Sequence, residues 1–386
     1  QHVHLTDSIN LRDSNLDPDV PTSAQSSEQY AVQEGLPQAS GVFAFTPALM
    51  ERILTLTGPI RVDAFNRTVT ADNLRDTIHY FHILNAFCAS DNHPNDPRCA
   101  ELKGANTSNL NTSDRKAFDA ALGATLFHTI GALPASDQGK LFRTVLEALQ
   151  TKDLVLYFND QRLETLLTTL TFDGAVRTPP GDSLFLVDTN VGASYVNGDV
   201  RERAQDVVTL GADGSATHDL TLTYDYPVVP HTWNDIYLPS GGNWRYHDFV
   251  RALVPTNAAT NAINGCDPFP AAQDQSAVLS CYFFLTRADT PRYCDADSCQ
   301  SATLTLHMQW TVPGAVLSAS GGASQYPLFI QKQPGTTNAW DITIVPPDGA
   351  ALALPDGSPL TLDGNGHAHY SSVLTRDLPL LVTLHS

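Results

Sequence analysis

Short apolar runs alternate with helix-like periodicity in the N-terminal part of the chain. Gly41–Thr46, Ile60–Phe65 and Leu154–Phe158 are apolar runs of strand length. The intervening segments carry apolar residues at every third or fourth position, which is typical of helices with one buried face. This alternation predicts helices that begin at Pro47 and after Thr70, and others over Asp114–Leu133, Ser136–Gln150 and Gln161–Leu170.

The clearest helix signals surround the segment after Gly41–Thr46. Thr46 is a favourable capping residue, and a proline in the first helical turn loses no hydrogen bond. Leu49, Ile53 and Leu56 then give the segment one apolar face, and the Gly58–Pro59 pair predicts its end.

The pattern changes near Gly174, after which polar and apolar residues alternate at period two. SLFLVDTN (Ser183–Asn190), DLTLTYDY (Asp219–Tyr226) and WDITIVPP (Trp340–Pro347) are examples, and glycine, proline, asparagine and aspartate separate them. Such alternation favours half-buried strands joined by turns. The same pattern is found in ATLTLHMQWTV, YPLFIQKQ and LLVTLH.

Two domains are therefore predicted in this chain of 386 residues. The first, over residues 1–176, is an α/β sandwich-like domain with a mixed sheet, helices and a disulfide-closed polar loop at 88–113. The second, over residues 177–386, is an antiparallel β-sandwich with two disulfide-closed loops.

The six cysteines fall into three pairs that are close in sequence, each enclosing Pro- or Asp-rich loop residues. Local disulfides are the simplest interpretation, whereas a metal site is disfavoured because no Cys-x-x-Cys pair occurs. Disulfides place the protein outside the reducing cytosol, so we expect an extracellular or cell-surface location. The predicted pairs are Cys88 with Cys99, Cys266 with Cys281, and Cys294 with Cys299.

The formal net charge of −19 excludes nucleic acid as a favoured partner, because like charges repel. The same charge disfavours direct binding to an anionic membrane. No apolar run is long enough for a membrane helix, so any membrane contact is expected through a segment upstream of Gln1. No cofactor is predicted beyond weak binding of Ca²⁺ or Mg²⁺ by the many carboxylates.

The stretch INLRDSNLDPDVPTSAQ is the main candidate for ligand binding. Arg12 could pair with a phosphate, and Asp13, Asn15, Asp17 and Asp19 offer the oxygen ligands that Mg²⁺ and Ca²⁺ prefer. Aspartate and asparagine next to proline are also ordinary turn formers. The turn is the favoured interpretation, and the ligand site is the alternative.

Neither the histidines nor the recognised catalytic motifs supply a reaction centre. His79 and His82 share a helix face without an acidic residue between them, and His367 and His369 lie in a Gly-rich turn that lacks a complete calcium-loop spacing. No G-x-S-x-G elbow, no P-loop and no S-x-x-K followed by its usual partner motifs occurs. An enzymatic activity is therefore disfavoured but stays an open alternative, and no catalytic residue is predicted.

Several blocks, read in order, carry a family resemblance. They include LRDSNLDPDVPTSA (Leu11–Ala24), GVFAFTPALMERILTLTGPIRV (Gly41–Val62), KDLVLYFNDQRLETLL (Lys152–Leu167) and DGAVRTPPGDSLFLVDTNVGASYVN (Asp173–Asn197). This series resembles the DUF4012 family of bacterial envelope proteins over nearly the whole chain. The resemblance implies that the chain corresponds to the C-terminal portion of a longer protein with a membrane helix.

Two positions depart from that family. Leu16 stands where an aromatic residue is frequent, and Tyr195 stands near the place of a common lysine. A looser similarity links LRDSN to the LytR–CpsA–Psr envelope transferases, in which an Arg-Asp pair holds a pyrophosphate and its metal.

Two functions are consistent with these observations. The first is an extracellular or cell-surface structural or interaction protein of a bacterial envelope, such as a subunit of a surface layer, filament or envelope complex. Its partners would be other envelope proteins or copies of itself. The alternative is a LytR–CpsA–Psr-like envelope glycopolymer phosphotransferase or phosphate-ligand binding protein that uses Arg12 and its acidic neighbours.

Overall fold

The computed structural model describes residues 11, 14–89, 97, 99, 117–192, 194, 196–229, 245–289, 294–295, 298–299, 301–318 and 323–385. The helices of this part are α1 (Val20–Gln33), α2 (Pro47–Thr57), α3 (Leu74–Ala89), α4 (Ala117–Gly131), α5 (Ala135–Gln150) and α6 (Gln161–Leu170).

The strands follow in chain order. They are β1 (Gly41–Phe45), β2 (Ile60–Val62), β3 (Arg67–Val69), β4 (Leu154–Phe158), β5 (Asp182–Val187), β6 (Arg201–Leu210), β7 (Ala216–Asp225), β8 (Arg245–Val254), β9 (Ala259–Asn264), β10 (Asp267–Pro268), β11 (Ala277–Thr286), β12 (Cys294–Asp295), β13 (Ser298–Cys299), β14 (Thr303–Val312), β15 (Leu317–Ser318), β16 (Ser324–Gln331), β17 (Ala339–Val345), β18 (Ala351–Ala353), β19 (Thr361–Leu362), β20 (Ala368–Val373) and β21 (Leu378–His385).

Helix α2 follows the predicted signals closely. Leu49 and Ile53 are buried on its apolar face, and Gly58 ends it with a φ of 78°, a conformation that favours glycine. The hydroxyl of Thr46 does not cap the helix; it donates instead to Oδ1 of Asp153 at 3.0 Å. The predicted start of α2 is therefore correct, but the hydroxyl of Thr46 bonds to a residue that is distant in sequence.

Helix α1 is not predicted by the hydrophobic pattern, because few of its residues are large and apolar. Its buried residues are the small Ser23 and Ala24. The helix begins after Asp19, whose side chain accepts a hydrogen bond from the backbone N–H of Thr22. Capping and close packing of small residues thus replace an apolar stripe.

Two compact units divide the chain. One comprises Gln1–Phe43, Val155–Val228 and Trp244–Ser386, and the other comprises Ala44–Leu154 and Val229–Asn243. The first unit contains α1, α6 and the two large sheets, whereas the second contains α2 to α5 with β2 and β3. Segments 1–43 and 155–176 group with the β-rich part, and the domain boundary between residues 176 and 177 stays a prediction.

Hydrogen bonds within the first unit connect the segment around residue 176 with residues both before and after it in the chain. The backbone N–H of Val176 donates to Asp19 at 3.0 Å, and that of Val20 donates to the carbonyl of Gly174 at 3.4 Å. On the other side, the backbone N–H of Arg177 donates to Gln331 at 2.9 Å. The start of α1 and the end of β16 are therefore tied to the same short segment.

The first unit is built on two large sheets. One has eight strands in the order β10-β11-β8-β5-β16-β21-β18, with β15 also paired to β16. The other has seven strands in the order β19-β20-β17-β6-β7-β14-β9. The coarse prediction of an α/β part and a β-rich part is confirmed.

A purely antiparallel C-terminal sandwich is not confirmed, because each large sheet contains a parallel pair. Strand β5 runs parallel to β16, and β6 runs parallel to β17. Alternation at period two predicts which face of a strand is buried, but it does not predict the neighbour or its direction. Both sheets are therefore mixed.

Two of the three predicted disulfides are present in the described residues. Cys88 is bonded to Cys99, and Cys266 to Cys281. Cys294 and Cys299 lie directly opposite each other in the β12–β13 ribbon, and their side chains are outside the described residues. The third bridge therefore stays a prediction.

Peptide mapping without reduction tests the cysteine pairing. We expect three linked peptide pairs and no thiol that reacts under denaturing conditions, because each pair closes a short local loop. The same digest after reduction is the control, since every link must then disappear. A free Cys294 or Cys299, or a link between different pairs, would contradict the local pairing.

Candidate functional site

The acidic stretch at the start of the chain forms a turn that leads into α1. Oδ2 of Asp19 accepts hydrogen bonds from the backbone N–H and the hydroxyl of Thr22, at 3.2 and 2.7 Å. Oδ1 of Asp19 accepts the backbone N–H of Val176. Asp17 accepts the backbone N–H of Asp19 at 2.8 Å. Both carboxylates therefore have structural partners within the chain.

The other members of the predicted site are placed differently. Asn15 is exposed to solvent, whereas Arg12 and Asp13 lie outside the described residues. Among the described members, the structure thus brings together Asp17 and Asp19. A ligand-binding role for the five residues stays a prediction.

An arginine from strand β8 binds the same stretch. Nη2 of Arg251 donates to the carbonyl oxygen of Leu16 at 3.0 Å and to the hydroxyl of Thr189 at 2.9 Å. Burial lowers the pKa of Arg251, and the nearby charges of Asp17 and Asp248 oppose that effect. The guanidinium of Arg251 therefore connects the acidic stretch to β8 and to Thr189, which follows β5.

Two carboxyl groups, Asp188 and Asp248, lie near this arginine, and Glu202 lies near both of them. Burial and then the charge of Asp188 raise the pKa of both Glu202 and Asp248 well above the usual range. The hydroxyl of Tyr224 donates to Oδ1 of Asp188 at 2.7 Å. The raised pKa values favour the protonated form of the buried Glu202 and Asp248 carboxyls.

A second polar cluster is completely enclosed between the two large sheets. His218 of β7 is 0% exposed, and its Nδ1 lies 2.8 Å from Oδ2 of Asp206 on β6. Its Nε2 lies 2.9 Å from Oδ2 of Asp182 on β5, in the other sheet. Tyr326 donates its hydroxyl to the same oxygen of Asp182, and Trp310 stacks on the imidazole with centroids 4.3 Å apart.

The two aspartates decide the charge of this histidine. Burial alone would lower the pKa of His218, but the charges of Asp206 and Asp182 outweigh burial and raise it to about 10. The ring therefore carries both protons at neutral pH and donates to a carboxylate on each side. Because no solvent reaches it, the cluster is a structural link and not a reaction centre.

The sequence reasoning misses His218, Asp182 and Asp206. A usable signal exists, because His218 and Asp206 occupy the inward-facing phase of strands whose other inward residues, apart from Glu202, are apolar or aromatic. Strand β5 is buried along its whole length, so Asp182 also stands in an apolar setting. Polar residues in such positions need buried partners.

The remaining histidine predictions have mixed outcomes. Nε2 of His82 lies 2.8 Å from Oδ2 of Asp119 on α4, an acidic partner that is remote in sequence. In the Gly-rich turn, Oδ2 of Asp363 lies 3.0 Å from Nε2 of His369 and 3.5 Å from Nδ1 of His367. Hydrogen bonding to His369, and then to the backbone of His367, lowers the pKa of Asp363 to about 2.

Comparison with known proteins supports the family resemblance in part of the chain. The model of the family described as "Protein of unknown function (DUF4012)" matches residues 2–80. The resemblance is thus confirmed over those residues. The resemblance was expected over nearly the whole chain, but the match covers only its N-terminal end. This placement also differs from the expected C-terminal portion.

Other comparisons add little. The search of curated proteins gave no match. Among solved structures, two of M1 zinc metallopeptidase from Deinococcus radiodurans, one bound to a Tyr-Ser-Ala substrate, are 12% and 11% identical. They cover 48% and 53% of this chain and 42% of their own, each with a TM-score of 0.23. Scores this low support no inference.

Within the described residues, no helix combines the length and the apolarity that crossing a bilayer requires.

The two interpretations of the acidic turn predict different results for Asp19. Because its side chain caps α1, Asp19→Ala should lower the free energy of unfolding by about 1–2 kcal/mol, whereas Asp19→Asn keeps a capping oxygen and should cost less. Urea unfolding, with and without millimolar Mg²⁺ or Ca²⁺, provides the measurement. Stabilisation of the unchanged protein by either ion, lost in Asp19→Asn, would instead support a cation site.

The buried histidine predicts a loss of stability at alkaline pH. Because its folded pKa of about 10 exceeds the unfolded value, the contribution of His218 is fully present below about pH 6.5 and is lost as the pH rises to about 10. Asp206→Asn removes one stabilising charge, so the midpoint of this loss should move to lower pH. Urea unfolding at a series of pH values measures the shift.

Asp219→Asn is the matched control for this experiment. Asp219 follows His218 in sequence, but it is exposed on the opposite face of β7 and accepts a hydrogen bond from Gln309. Its replacement should leave the alkaline profile unchanged. Identical profiles for Asp206→Asn and the unchanged protein would contradict the charged state assigned to His218.

Proposed function

We propose that the protein is an extracellular or cell-surface structural or interaction protein of a bacterial envelope, and that it associates with a second copy of itself through strand β1. The proposal is supported by two independent features of the chain. They are the exposed apolar strand and the disulfides.

Strand β1 carries the proposal. It belongs to a two-stranded sheet with β4, and no described strand pairs with its other edge. Phe43 and Phe45 are 62% and 51% exposed, and the strand GVFAF has no charged residue. Natural edge strands are usually protected by charges, prolines or bulges, so an uncharged edge with exposed aromatic residues favours pairing with another chain.

A second copy is the occupant that best completes this edge. Two β1 strands related by a twofold axis would join two separate two-stranded sheets into one sheet of four strands. A two-stranded sheet is marginal by itself, whereas three or more strands are independently stable. The apolar residues of each copy would then contact those of the other, as a self-complementary interface requires.

The proposed platform for this contact is a β-sandwich made from the two large sheets. Side chains from both sheets bond directly, since His218 of one sheet lies 2.9 Å from Asp182 of the other. Tyr224 and Phe283, also from opposite sheets, have ring centroids 4.6 Å apart. A rigid body of this kind suits a protein that works by contact.

The disulfides support the proposed location, whereas the charge affects the association. Bridges such as Cys88–Cys99 and Cys266–Cys281 persist in oxidising surroundings. The net charge of −19 opposes association at low ionic strength, and salt weakens that repulsion. The transferase alternative has less support, because both carboxylate oxygens of Asp19 already have partners within the chain.

Sedimentation velocity tests the proposed association. We expect the unchanged chain to self-associate more strongly at ~0.5 M than at ~0.05 M salt, because screening reduces the mutual repulsion. Phe43→Lys places a charge on the open edge and should weaken association at least ~10-fold.

Phe127→Lys is the matched control, because Phe127 is 72% exposed but lies on helix α4. It should associate like the unchanged chain. A chain that stays monomeric at both salt concentrations would overturn the proposal, and so would equal effects of the two lysine substitutions.

A further inference from the structure

The hairpin between β19 and β20 brings one aspartate and two histidines together. Its turn is closed by the backbone N–H of Asp363, which donates to the carbonyl of His367 at 2.9 Å. Gly366, with a φ of 79°, donates to the carbonyl of Asp363 and supplies the left-handed residue that the tight turn requires. His367 and His369 are two residues apart in extended chain, so their side chains share a face.

The two oxygens of Asp363 have separate roles. Oδ1 accepts the backbone N–H groups of Asn365 and His367, at 2.8 and 2.9 Å, and this fixes the carboxylate within the turn. Oδ2 is directed at the two imidazoles, 3.0 Å from Nε2 of His369 and 3.5 Å from Nδ1 of His367. The carboxylate is therefore oriented before any ligand arrives.

These distances match those of metal ligands. Donor atoms of the three residues all lie within 4.8 Å of one another. Two ligands at about 2.0–2.1 Å from a tetrahedral Zn²⁺ are separated by about 3.3 Å. The observed 3.0 and 3.5 Å lie on either side of this value, so an ion could replace the direct contacts with small movements.

A threonine on the neighbouring strand supplies the outer support. Oγ1 of Thr343 lies 3.0 Å from Nδ1 of His369, and the two residues are paired in the β17–β20 ladder. When Nε2 of His369 binds a metal, its Nδ1–H can donate to this hydroxyl. Such a partner fixes the tautomer and the orientation of a ligating imidazole.

The cluster is also accessible. The side chains of Asp363, His367 and His369 retain 31%, 30% and 36% of their exposure. An ion can therefore enter from solvent, and the acidic chain attracts cations. This situation contrasts with that of His218, whose two nitrogens are enclosed and already bonded.

We propose that Asp363, His367 and His369 form a binding site for a divalent transition-metal ion of the zinc class, with at least one coordination position open. Two imidazole nitrogens and one carboxylate oxygen suit Zn²⁺ and Co²⁺, whereas Ca²⁺ and Mg²⁺ prefer oxygen ligands alone. The site shares no residue with strand β1, so metal binding and self-association are tested separately.

Titration of the full chain with Zn²⁺ and with Co²⁺ tests the site after treatment with a chelator. His2→Ala and His4→Ala are introduced throughout, so that the alternating histidines near the N-terminus contribute no binding. Calorimetry should find about one equivalent of Zn²⁺, and Co²⁺ should give the visible absorption of a low-symmetry site. His367→Ala and His369→Ala should each weaken binding ~100-fold, and Thr343→Val ~10-fold.

The control is His307→Ala. His307 on β14 lies opposite Thr221 on β7, with Nδ1 3.0 Å from its hydroxyl, as His369 lies relative to Thr343. It is not part of the Asp363 cluster, so its loss should leave binding unchanged. His369→Gln replaces His369→Ala if circular dichroism shows that the latter is unfolded. Absence of saturable binding, or equal affinity in the His369 variant and the unchanged site, would overturn the proposal.

Discussion

The ionic link between His218, Asp182 and Asp206 constrains the way the two large sheets come together. All three side chains are 0% exposed, and breaking a buried ionic group by removing one partner typically costs about 3–5 kcal/mol. The imidazolium therefore needs both carboxylates, and Asp182 in turn receives the hydroxyl of Tyr326. Since these bonds are directional, only one placement of β5 satisfies them.

That placement defines the parallel pair of β5 and β16. A shift of β5 by one residue would turn Asp182 to the opposite face of the sheet and leave a buried carboxylate without its partners. Tyr326 lies on β16 and bonds to Asp182 on β5, so it connects the two members of the parallel pair directly. Apolar packing alone would tolerate a slip more easily than this polar contact does.

The described residues include two kinds of buried carboxyl group, and the two kinds adapt differently. Asp182 and Asp206 face a cation, and they hold the pKa of His218 at about 10. Glu202 and Asp248 face other acids, and burial together with the charge of Asp188 raises their pKa values. Protonation therefore limits the repulsion among these acids, and Arg251, which lies near Asp248, donates to the acidic turn.

Local signals explain what the sequence predicts and what it misses. Helix α6 is predicted at Gln161–Leu170, where the structure has it, because capping and periodicity agree. Helix α1 lacks an apolar stripe, and β6 carries Arg201, Glu202 and Arg203 at its start, so neither has a clear pattern. The parallel pairings depend on residues more than a hundred positions apart, which periodicity does not encode. The strand phase of Asp206 and the apolar neighbours of Asp182 indicate burial, but the partner of each carboxylate follows only from the fold.

Burial also decides what one set of donor groups can do in this protein. His218 and His369 each lie between an aspartate and a second polar partner, but only His369 keeps access to solvent. Inside the sheets, desolvation would make exchange of a carboxylate partner for an ion and its water costly, so the proton is the only cation that fits the arrangement. On the hairpin, the same exchange costs little, because water still reaches the carboxylate and both imidazoles. The enclosed histidine therefore fixes structure, whereas the exposed pair is free to bind.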